Sequence, residues 1–528
     1  ARSGTPPPTI SVMFACPLAY VGADHKLGAM PLVDHEGERD LMCRSLEEAK
    51  RAVHLEFGFA TTDHLRSVVT RGCRVMHYSG HANPNLVSFE DGFAGVHFVH
   101  VKQLESLFAA GGQAGKPQLC VVSACSSRAA GQAFVDAGVP HVVAVEQEVE
   151  VLDRAAAVFT RGFYLALVQG KSVRESFDIA TEAVKASPYS IAREAAKFLL
   201  LPESNGVKDR HDRCIFPSLP RAEWKRPSPL PPCNVEALPA VPEGFVGRNV
   251  SLYHVVNQVL RHRLVALVAP SGYGKTAVSI AAAHYLSERR CFRDGVIYVE
   301  TSHHGQHPAP LSSSEMIVEL GRQLRRRGAI PAETSMSHSL EHAIMLALQN
   351  LQCLLVIDDP DVRSWPLRTL LARMLGHARE LKVLFTARQG LSENGPLFGV
   401  AEKLYELPPL GRRSAAKLLL RRSPRAVEPQ ELNGAKTTEE LISALAAHPA
   451  MLPIPGHIVQ VALTLRSHDL RHVLDTIGQD GRPLTRLALA TDPRNRELAH
   501  GEMQRQSRDG KIITKKLDGL SLSKREPN

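Results

Sequence analysis

A histidine and a cysteine each stand just past an apolar run, where a parallel strand delivers side chains to a ligand. His81 lies in HYSGHA (77–82) and Cys125 in VVSACSS (121–127). Brought together, such a pair forms a dyad. The imidazole promotes the thiolate or protonates a leaving amine, and the thiolate attacks a carbonyl carbon. Small neighbouring residues let the backbone approach a substrate. The N–H of Cys125, with one near Gly80 or Ala82, can hold the developing oxyanion. The bland alternative is that a lone buried cysteine is an inert small apolar group. That reading fits Cys120, five residues earlier, and a supporting structural part fits His77 inside its strand. Asp153 could orient the site, although an exposed carboxylate at a helix start explains it better.

A second chemistry is carried by APSGYGKT (269–276), between the apolar run LVALV and the helical TAVSIAAAHYL. Strand, glycine-rich loop and helix are the context that a phosphate-binding loop requires. Gly272 and Gly274 free the backbone N–H groups around Pro270, Ser271, Tyr273 and Ala277 to wrap phosphates. Lys275 reaches the β- and γ-phosphates, and the Thr276 hydroxyl can ligate Mg2+. The helix N-terminus adds a favourable dipole. Downstream, CLLVIDD (353–359) ends in Asp358, suited to hold Mg2+, and Asp359, suited to position or activate a hydrolytic water. KVLFTAR (382–388) ends in Thr386 and Arg388, the latter a candidate γ-phosphate sensor.

The 528-residue length suggests three domains or four. With 44% hydrophobic and 22% charged residues, a wholly disordered, collagen-like or coiled-coil chain is excluded. The net charge of +9 is modest and demands no nucleic-acid partner. Nine cysteines, an odd number without zinc-finger spacing, disfavour a disulfide framework and fit a reducing compartment. No apolar run approaches the roughly 20 residues that span a bilayer. The apolar residues 9–23 read better as a buried first strand than as a signal peptide, so a cytoplasmic location is expected.

Apolar runs at 9–21, 74–80, 119–124 and 139–146 alternate with helical patterns at 38–56 and 154–169. This predicts an α/β fold with a largely parallel sheet covered on both faces. The same alternation resumes at 262–269 and is helical from about 411. Between the two units Pro217, Pro220, Pro227, Pro229, Pro231, Pro232, Pro239 and Pro242 mark an extended, semi-rigid linker. The boundaries read as 1–218, a linker at 219–243, an NTPase domain at 244–410, a helical subdomain at 411–500 and a polar basic tail at 501–528. The basic run RQLRRRG (322–328) reads as a solvated helix face.

The first unit resembles the CHAT branch of the caspase-like peptidases. Their pattern is a histidine followed by glycine, a spacer, then alanine–cysteine, each block closing an apolar strand. Ala124-Cys125 matches this pattern, and Ala82 stands where the family has glycine. FEDGFAGVHFVHVKQL and GKSVRESFDIATEAV extend the likeness over about residues 9–218. The resemblance implies a caspase-like α/β sandwich, a Cys125/His81 endopeptidase and a protein or peptide substrate.

Residues 244–465 resemble the STAND class of signal-transduction ATPases, close to the NB-ARC type. FVGRNVSLYHVVNQVL (245–260) carries Val246, Gly247 and Arg248, which the likeness places near the base and ribose. LYELPPLGRRSAAKLLLRR (404–422) resembles a helical lead-in. AHPAMLPIPG (447–456) resembles the motif whose proline packs on adenine, for which Pro449 is the choice, with His448 at an expected glycine position. The likeness implies ATP or ADP with Mg2+ as a switch, and self-oligomerisation through the NTPase domain. The residues after 456 cannot hold the repeat array of that class, so the chain is a fragment or a separate subunit senses the trigger.

Together these features predict a nucleotide-switched signalling protein with a caspase-like effector, implied by analogy to act in defence or cell death. One rival is a catalytically inactive scaffold assembled under ATP/ADP control. Another is a constitutive ATPase with an accessory α/β domain.

Overall fold

In a computed structural model the chain divides into two compact units, residues 1–232 and 233–528. The structure describes residues 8–31, 33–83, 85–110, 116–124, 127–146, 153–188, 191–203, 210–227, 238–300, 312–331, 338–392, 399–432, 434–449, 451 and 453–480. Cys125, the middle of the proline-rich stretch and the basic tail lie outside these residues.

The described strands of the first unit are β1 Thr9–Phe14, β2 Ala19–Val21, β3 Leu27–Ala29, β4 His54–Phe59, β5 Val75–Ser79, β6 Leu86–Glu90, β7 Val96–His100, β8 Leu119–Ser123, β9 His141–Val145 and β10 Phe198–Leu201. Six of them form one sheet in the order β10-β9-β8-β5-β1-β4. Every pairing in it is parallel except β9 with β10. The small hairpins β2–β3 and β6–β7 stand apart from this sheet.

Alternate residues of each strand serve opposite faces. On one face Ile10, Val12, Val75, Val121 and Val143 pack with helices His35–Ala49, Asp153–Val168 and Val173–Lys185. On the other, Met13, Met76, Tyr78, Cys120, Val122 and Val142 pack with helices Thr62–Arg71, Val101–Ala110 and Arg128–Asp136. This is the doubly covered, largely parallel sheet expected from the alternating pattern.

Two readings of this unit need correction. The helix expected over 38–56 begins earlier and stops at Ala49, where Lys50 adopts φ 49°, ψ 50° in the left-handed region. Its last expected turn is instead β4, whose Leu55, Phe57 and Phe59 alternate along the edge strand. Alternation over six residues was masked by the helical pattern running into it. The second difference concerns residues 220–226, read as linker, which pack back on this unit. The Ala52 N–H donates to the Pro220 carbonyl (3.0 Å), the Ala222 N–H to that of Lys50 (3.2 Å), and Trp224 Nε1 to that of Val53 (2.9 Å). Proline removes donors but leaves the carbonyls and intervening N–H groups free to pair.

The second unit has β11 Leu264–Val268, β12 Val296–Val299, β13 Leu354–Ile357, β14 Lys382–Ala387 and β15 Glu402–Glu406, all parallel, in the order β12-β13-β14-β11-β15. One face packs Leu264, Ala266, Val268, Ile297 and Val299 against helices Ser313–Arg326, His338–Gln349 and Trp365–His377. Residues 404–406, expected in a helical lead-in, close the sheet as β15, and the helix begins only at Arg412. Helices Arg412–Arg422, Thr438–Ala447, Pro455–Thr464 and Leu470–Asp480 form a small separate core. In the basic run, Arg322 pairs with Glu319, and Arg327 donates to the carbonyls of Asp294 and Val296. Among the described residues no helix is long and apolar enough to cross a membrane.

The first unit's helical layer centres on Phe159. Its ring stacks on Phe198 with centroids 4.0 Å apart and meets Phe177 edge-on at 5.5 Å. Phe159→Ala should cost ~3–5 kcal/mol, as for other buried large-to-small aromatic changes. Urea unfolding followed by Trp224 fluorescence, in a Trp365→Phe background that leaves one tryptophan, measures this loss.

Candidate functional site

The glycine-rich loop at 269–276 and its partners are assembled by neighbouring strand ends. β11 feeds the loop, β14 lies beside it, and β13 lies beyond β14. Gly272 and Gly274 adopt φ +82° and +88°, a region closed to most side-chain-bearing residues. Helix Lys275–Glu288 starts directly behind them.

Thr276 Oγ1 lies 3.0 and 2.9 Å from the two carboxylate oxygens of Asp358 at the end of β13. Thr386 Oγ1, from β14, donates to Asp358 Oδ1 at 2.6 Å and accepts from the Asp359 N–H at 2.9 Å. Asp359 itself stands at φ +47°, on a bend that turns its exposed side chain out of the strand. A carboxylate and a hydroxyl sharing one position make a hard oxygen donor set suited to Mg2+. These residues therefore fit the metal that a phosphate-binding loop calls for.

Lys275 Nζ donates to the carbonyls of Ala269 (2.9 Å) and Pro270 (3.2 Å). Burial holds its pKa below the ordinary lysine value; Asp359 and Asp358 offset part of this, and Arg388 adds to it. An arriving phosphate would relieve that cost by supplying negative charge. Arg388 is exposed just past β14.

Arg248 is buried and does not face solvent. It donates to the carbonyls of Pro408 (2.7 Å) and Tyr273 (2.8 Å), so it braces the loop from behind. Gly247, at φ +66°, passes so close to Ser414 that an added Cβ would lie 2.1 Å from its Oγ. Val246 packs against the helical core.

Pro449 is exposed beyond helix Thr438–Ala447. The residues that reach the loop are Pro455 and Gly456. The Gly456 N–H donates to the Gly272 carbonyl (2.8 Å), and an added Cβ there would lie 2.9 Å from Gly272 Cα. The sequence held a signal for this contact. PIPG places proline at the first position of a helix and glycine beside it, a pattern that suits a helix start in close approach.

In the first unit, His81 follows β5 and is half-buried, with Nε2 3.0 Å from the Pro31 carbonyl. A carbonyl only accepts, so this contact keeps the proton on Nε2 and leaves Nδ1 as the basic nitrogen. β5 and β8 are paired with Ser79 opposite Ser123, so the two strands end together at one edge of the sheet. The position of Cys125 itself lies outside the described residues. Gly80, an expected oxyanion donor, spends its N–H on the Ser123 carbonyl at 3.2 Å. Its need for glycine is steric, since a Cβ would lie 2.4 Å from Tyr78 Oη. Ala82 stands opposite Val87 in an isolated bridge whose hydrogen bonds are made by its neighbours, Asn83 to Leu86 and Ser88 to His81. Its own N–H therefore stays outside that pairing. Asp153 begins the helix Asp153–Val168.

Two described thiols near this sheet, Cys73 and Cys120, are unsuited to nucleophilic work. Burial raises Cys73 to about 12, and pushes fully buried Cys120 well above its ordinary value, aided by nearby Cys73.

Inward from His81 lies a polar cluster that sequence reasoning missed. His77 is fully buried and pairs through Nε2 with Glu38 Oε1 (2.9 Å) and through Nδ1 with the Tyr164 hydroxyl (2.9 Å). Ser79 Oγ donates to the other oxygen of Glu38 at 2.5 Å. Burial works to raise the Glu38 pKa. Hydrogen bonding and charge from His77, with help from Ser79 and Ser123, outweigh it and hold the carboxyl below its ordinary range.

Burial lifts the Asp358 pKa, the two threonine hydroxyls lower it, Asp359 raises it again, and the net shift is upward. A raised folded-state pKa means that the folded protein binds the proton more tightly. Its contribution favours folding at low pH and is lost as pH rises through the folded value. Asp358→Asn should therefore raise the melting midpoint of the nucleotide-free protein at neutral pH, with a gain that shrinks below about pH 4. Differential scanning fluorimetry across pH reads this; a lower midpoint at neutral pH would mean that the threonine hydrogen bonds outweigh burial. Separately, Gly456→Val should part the helix start from the loop and speed exchange of the backbone amide at position 456 by roughly tenfold, the loss of about one hydrogen bond.

A family model described as the CHAT domain matches residues 11–191. No match was found among curated proteins. Among solved structures, the chain is similar to a STAND protein with a tetratricopeptide repeat sensor from Pyrococcus horikoshii, at 15% identity and a TM-score of 0.29, covering 46% of this chain and 33% of that one. It is also similar to PCH-2 of C. elegans, at 14% identity and a TM-score of 0.28, covering 44% and 68%. A third is AMPPCP-bound DnaA from Aquifex aeolicus, at 13% identity and a TM-score of 0.24, covering 54% and 71%. The match thus spans about a third of the Pyrococcus protein. At these scores the structural likenesses carry no argument; the sequence likeness lies in the first unit, to the CHAT domain.

Proposed function

We propose that the chain is a nucleotide-switched signalling protein whose caspase-like effector is a cysteine endopeptidase. The observation that carries the switch is the convergence of Thr276, Asp358 and Thr386 behind a glycine-rich loop, with Lys275 at its centre. ATP or ADP is held there through its phosphates by the loop N–H groups and Lys275. Mg2+, held by Thr276 and Asp358, neutralises phosphate charge when bound. Asp359 positions the hydrolytic water, and Arg388 answers to the γ-phosphate. Gly456 and Pro455, which touch the loop, link its occupancy to the helical subdomain.

In the effector, His81 Nδ1 serves as the base and Cys125 as the nucleophile toward a peptide carbonyl. The Pro31 contact that sets the histidine tautomer supports this assignment, as does the CHAT match over 11–191. The oxyanion falls to the N–H groups of Ala82 and Cys125. The ADP form is closed; the ATP form self-assembles and brings effector units together. Regulation requires that nucleotide and protease sites be energetically coupled. A sensor in a separate subunit or in further sequence supplies the trigger, and the setting is defence or cell-death signalling in the cytoplasm.

A second reading, an inactive scaffold under the same nucleotide control, is favoured by two observations. Ala82 replaces the family's glycine, and the Gly80 N–H is committed to Ser123. A peptide-based thiol probe separates the readings. Labelling that Cys125→Ala abolishes supports the protease, and its absence in every nucleotide state supports the scaffold.

The switch is tested by light scattering with ADP and with a non-hydrolysable ATP analogue. Oligomers are expected with the analogue alone. Lys275→Ala should abolish the shift and weaken nucleotide binding by roughly 10- to 100-fold, the value of charged hydrogen bonds. An unchanged size in every state would remove assembly from the mechanism.

A further inference from the structure

At the sheet edge of the second unit one hydroxyl serves two acids. Thr386 lies on β14, between β11 and β13. It stands opposite Leu267 of β11, and its neighbour Ala387 accepts from the Ala269 N–H (3.3 Å) where the glycine-rich loop begins. A hydroxyl has one hydrogen to give and lone pairs to accept with. Here the hydrogen goes to Asp358 Oδ1 (2.6 Å), and the oxygen accepts from the Asp359 N–H (2.9 Å). Asp359 bends away at φ +47°, a left-handed conformation that residues with a side chain seldom adopt. The bend separates two adjacent acids, leaving Asp358 buried and Asp359 exposed. Thr386 itself is only 1% exposed, so it meets the two acids and is shielded from solvent. Valine would suit such a buried strand position equally well in shape. A hydroxyl costs free energy to bury unless it is bonded, and this one is bonded twice.

We infer that Thr386 is a positioning residue for both acids: through one hydroxyl it fixes the carboxylate of Asp358 and pins the bend that presents Asp359. The inference rests on the nucleotide reading given above, in which Asp358 holds Mg2+ and Asp359 positions water. Thr276 does not distinguish the two carboxylate oxygens of Asp358, since it lies 3.0 and 2.9 Å from them. Thr386 donates to Oδ1, and this sets the turn of the carboxylate about its bond. The left-handed bend persists only where its surroundings over-determine it. The Thr386 oxygen supplies that restraint by holding the Asp359 N–H. Because the same hydroxyl both donates and accepts, each bond polarises the other. A turn of Asp358 redirects the hydroxyl and weakens its hold on Asp359. The metal-holding acid and the water-positioning acid are thereby tied together. In this role Thr386 acts through the two acids and touches neither nucleotide nor metal.

The test compares wild type with Thr386→Val, Thr386→Ser, Asp359→Asn and Lys275→Ala, all in the full chain. Affinity for a fluorescent ADP analogue is measured in Mg2+ and again in EDTA. Phosphate release from ATP is followed over a single turnover. Valine keeps the branched shape and removes the hydroxyl, whereas serine keeps the hydroxyl. Thr386→Val should leave the affinity in EDTA within about twofold of wild type. It should cut the gain in affinity that Mg2+ confers by roughly tenfold, the value of one hydrogen bond to a charged group. Phosphate release should slow about 10- to 100-fold, the scale of a small misplacement of reacting groups. Thr386→Ser should restore both readouts, and Asp359→Asn should slow release while keeping the Mg2+ gain. A wild-type Mg2+ gain and release rate in Thr386→Val would overturn the positioning role and leave the nucleotide site standing. A loss of affinity that is equal in Mg2+ and EDTA, and that serine does not rescue, would make Thr386 a stabilising residue alone and also overturn the inference. Loss of only one readout, or a wild type that binds the analogue and releases no phosphate, would overturn the tie between the acids. If wild type binds no analogue, or Lys275→Ala binds it equally well, the nucleotide reading fails, and the role of Thr386 falls with it.

Discussion

Parallel pairing sets a constraint on everything downstream: strands hydrogen-bonded in parallel end at one edge, so whatever follows each of them emerges together. In the first unit β5 and β8 obey this through the pair Ser79–Ser123. In the second, β11, β14 and β13 obey it in turn, and the loop, Thr386 and Asp358 meet at their ends. Neither site depends on long excursions of chain. Each is carried by strands buried on both faces, which is why a few short side chains suffice to complete it.

The two edges use that geometry for different electrostatic ends. At the ends of β11, β13 and β14 charge is only partly compensated. Burial depresses the Lys275 pKa and raises that of Asp358, so both groups gain from an incoming phosphate and a cation. In the first unit charge is compensated internally. Glu38 is held below its ordinary pKa because His77, Ser79 and Ser123 together outweigh burial. A group that binds a ligand must be dissatisfied without it, whereas one that holds a scaffold must already be satisfied.

Glycine has a narrow and specific part in this. Gly272 and Gly274 supply positive φ where the loop turns, and Gly456 supplies the missing side chain where a helix start meets the loop backbone. The last of these makes the helical subdomain a neighbour of the glycine-rich loop, through a contact of two backbones that a single methyl group would disturb.

Reading the chain from residues alone located most strands because buried parallel strands are short apolar runs. It located the glycine-rich loop between β11 and its helix because glycine spacing, lysine and threonine are local in sequence. It missed β4 and overran a helix, because six alternating residues following a helical pattern do not announce where the pattern changes. It chose Pro449 where Pro455 and Gly456 reach the loop, because several prolines lay in one short motif and only packing separates them. It passed over Glu38, which is one of several acidic residues in a helix and gains its meaning only from the strands it faces. What the sequence alone determined were the local matters: strand, turn and helix type, and the chemistry each residue could offer. Only the tertiary structure decided the strand order, the commitment of the Gly80 N–H and the pairing of Glu38 with His77 and Ser79. Those depend on hydrogen bonds between residues tens of positions apart, and no local pattern encodes such a partner.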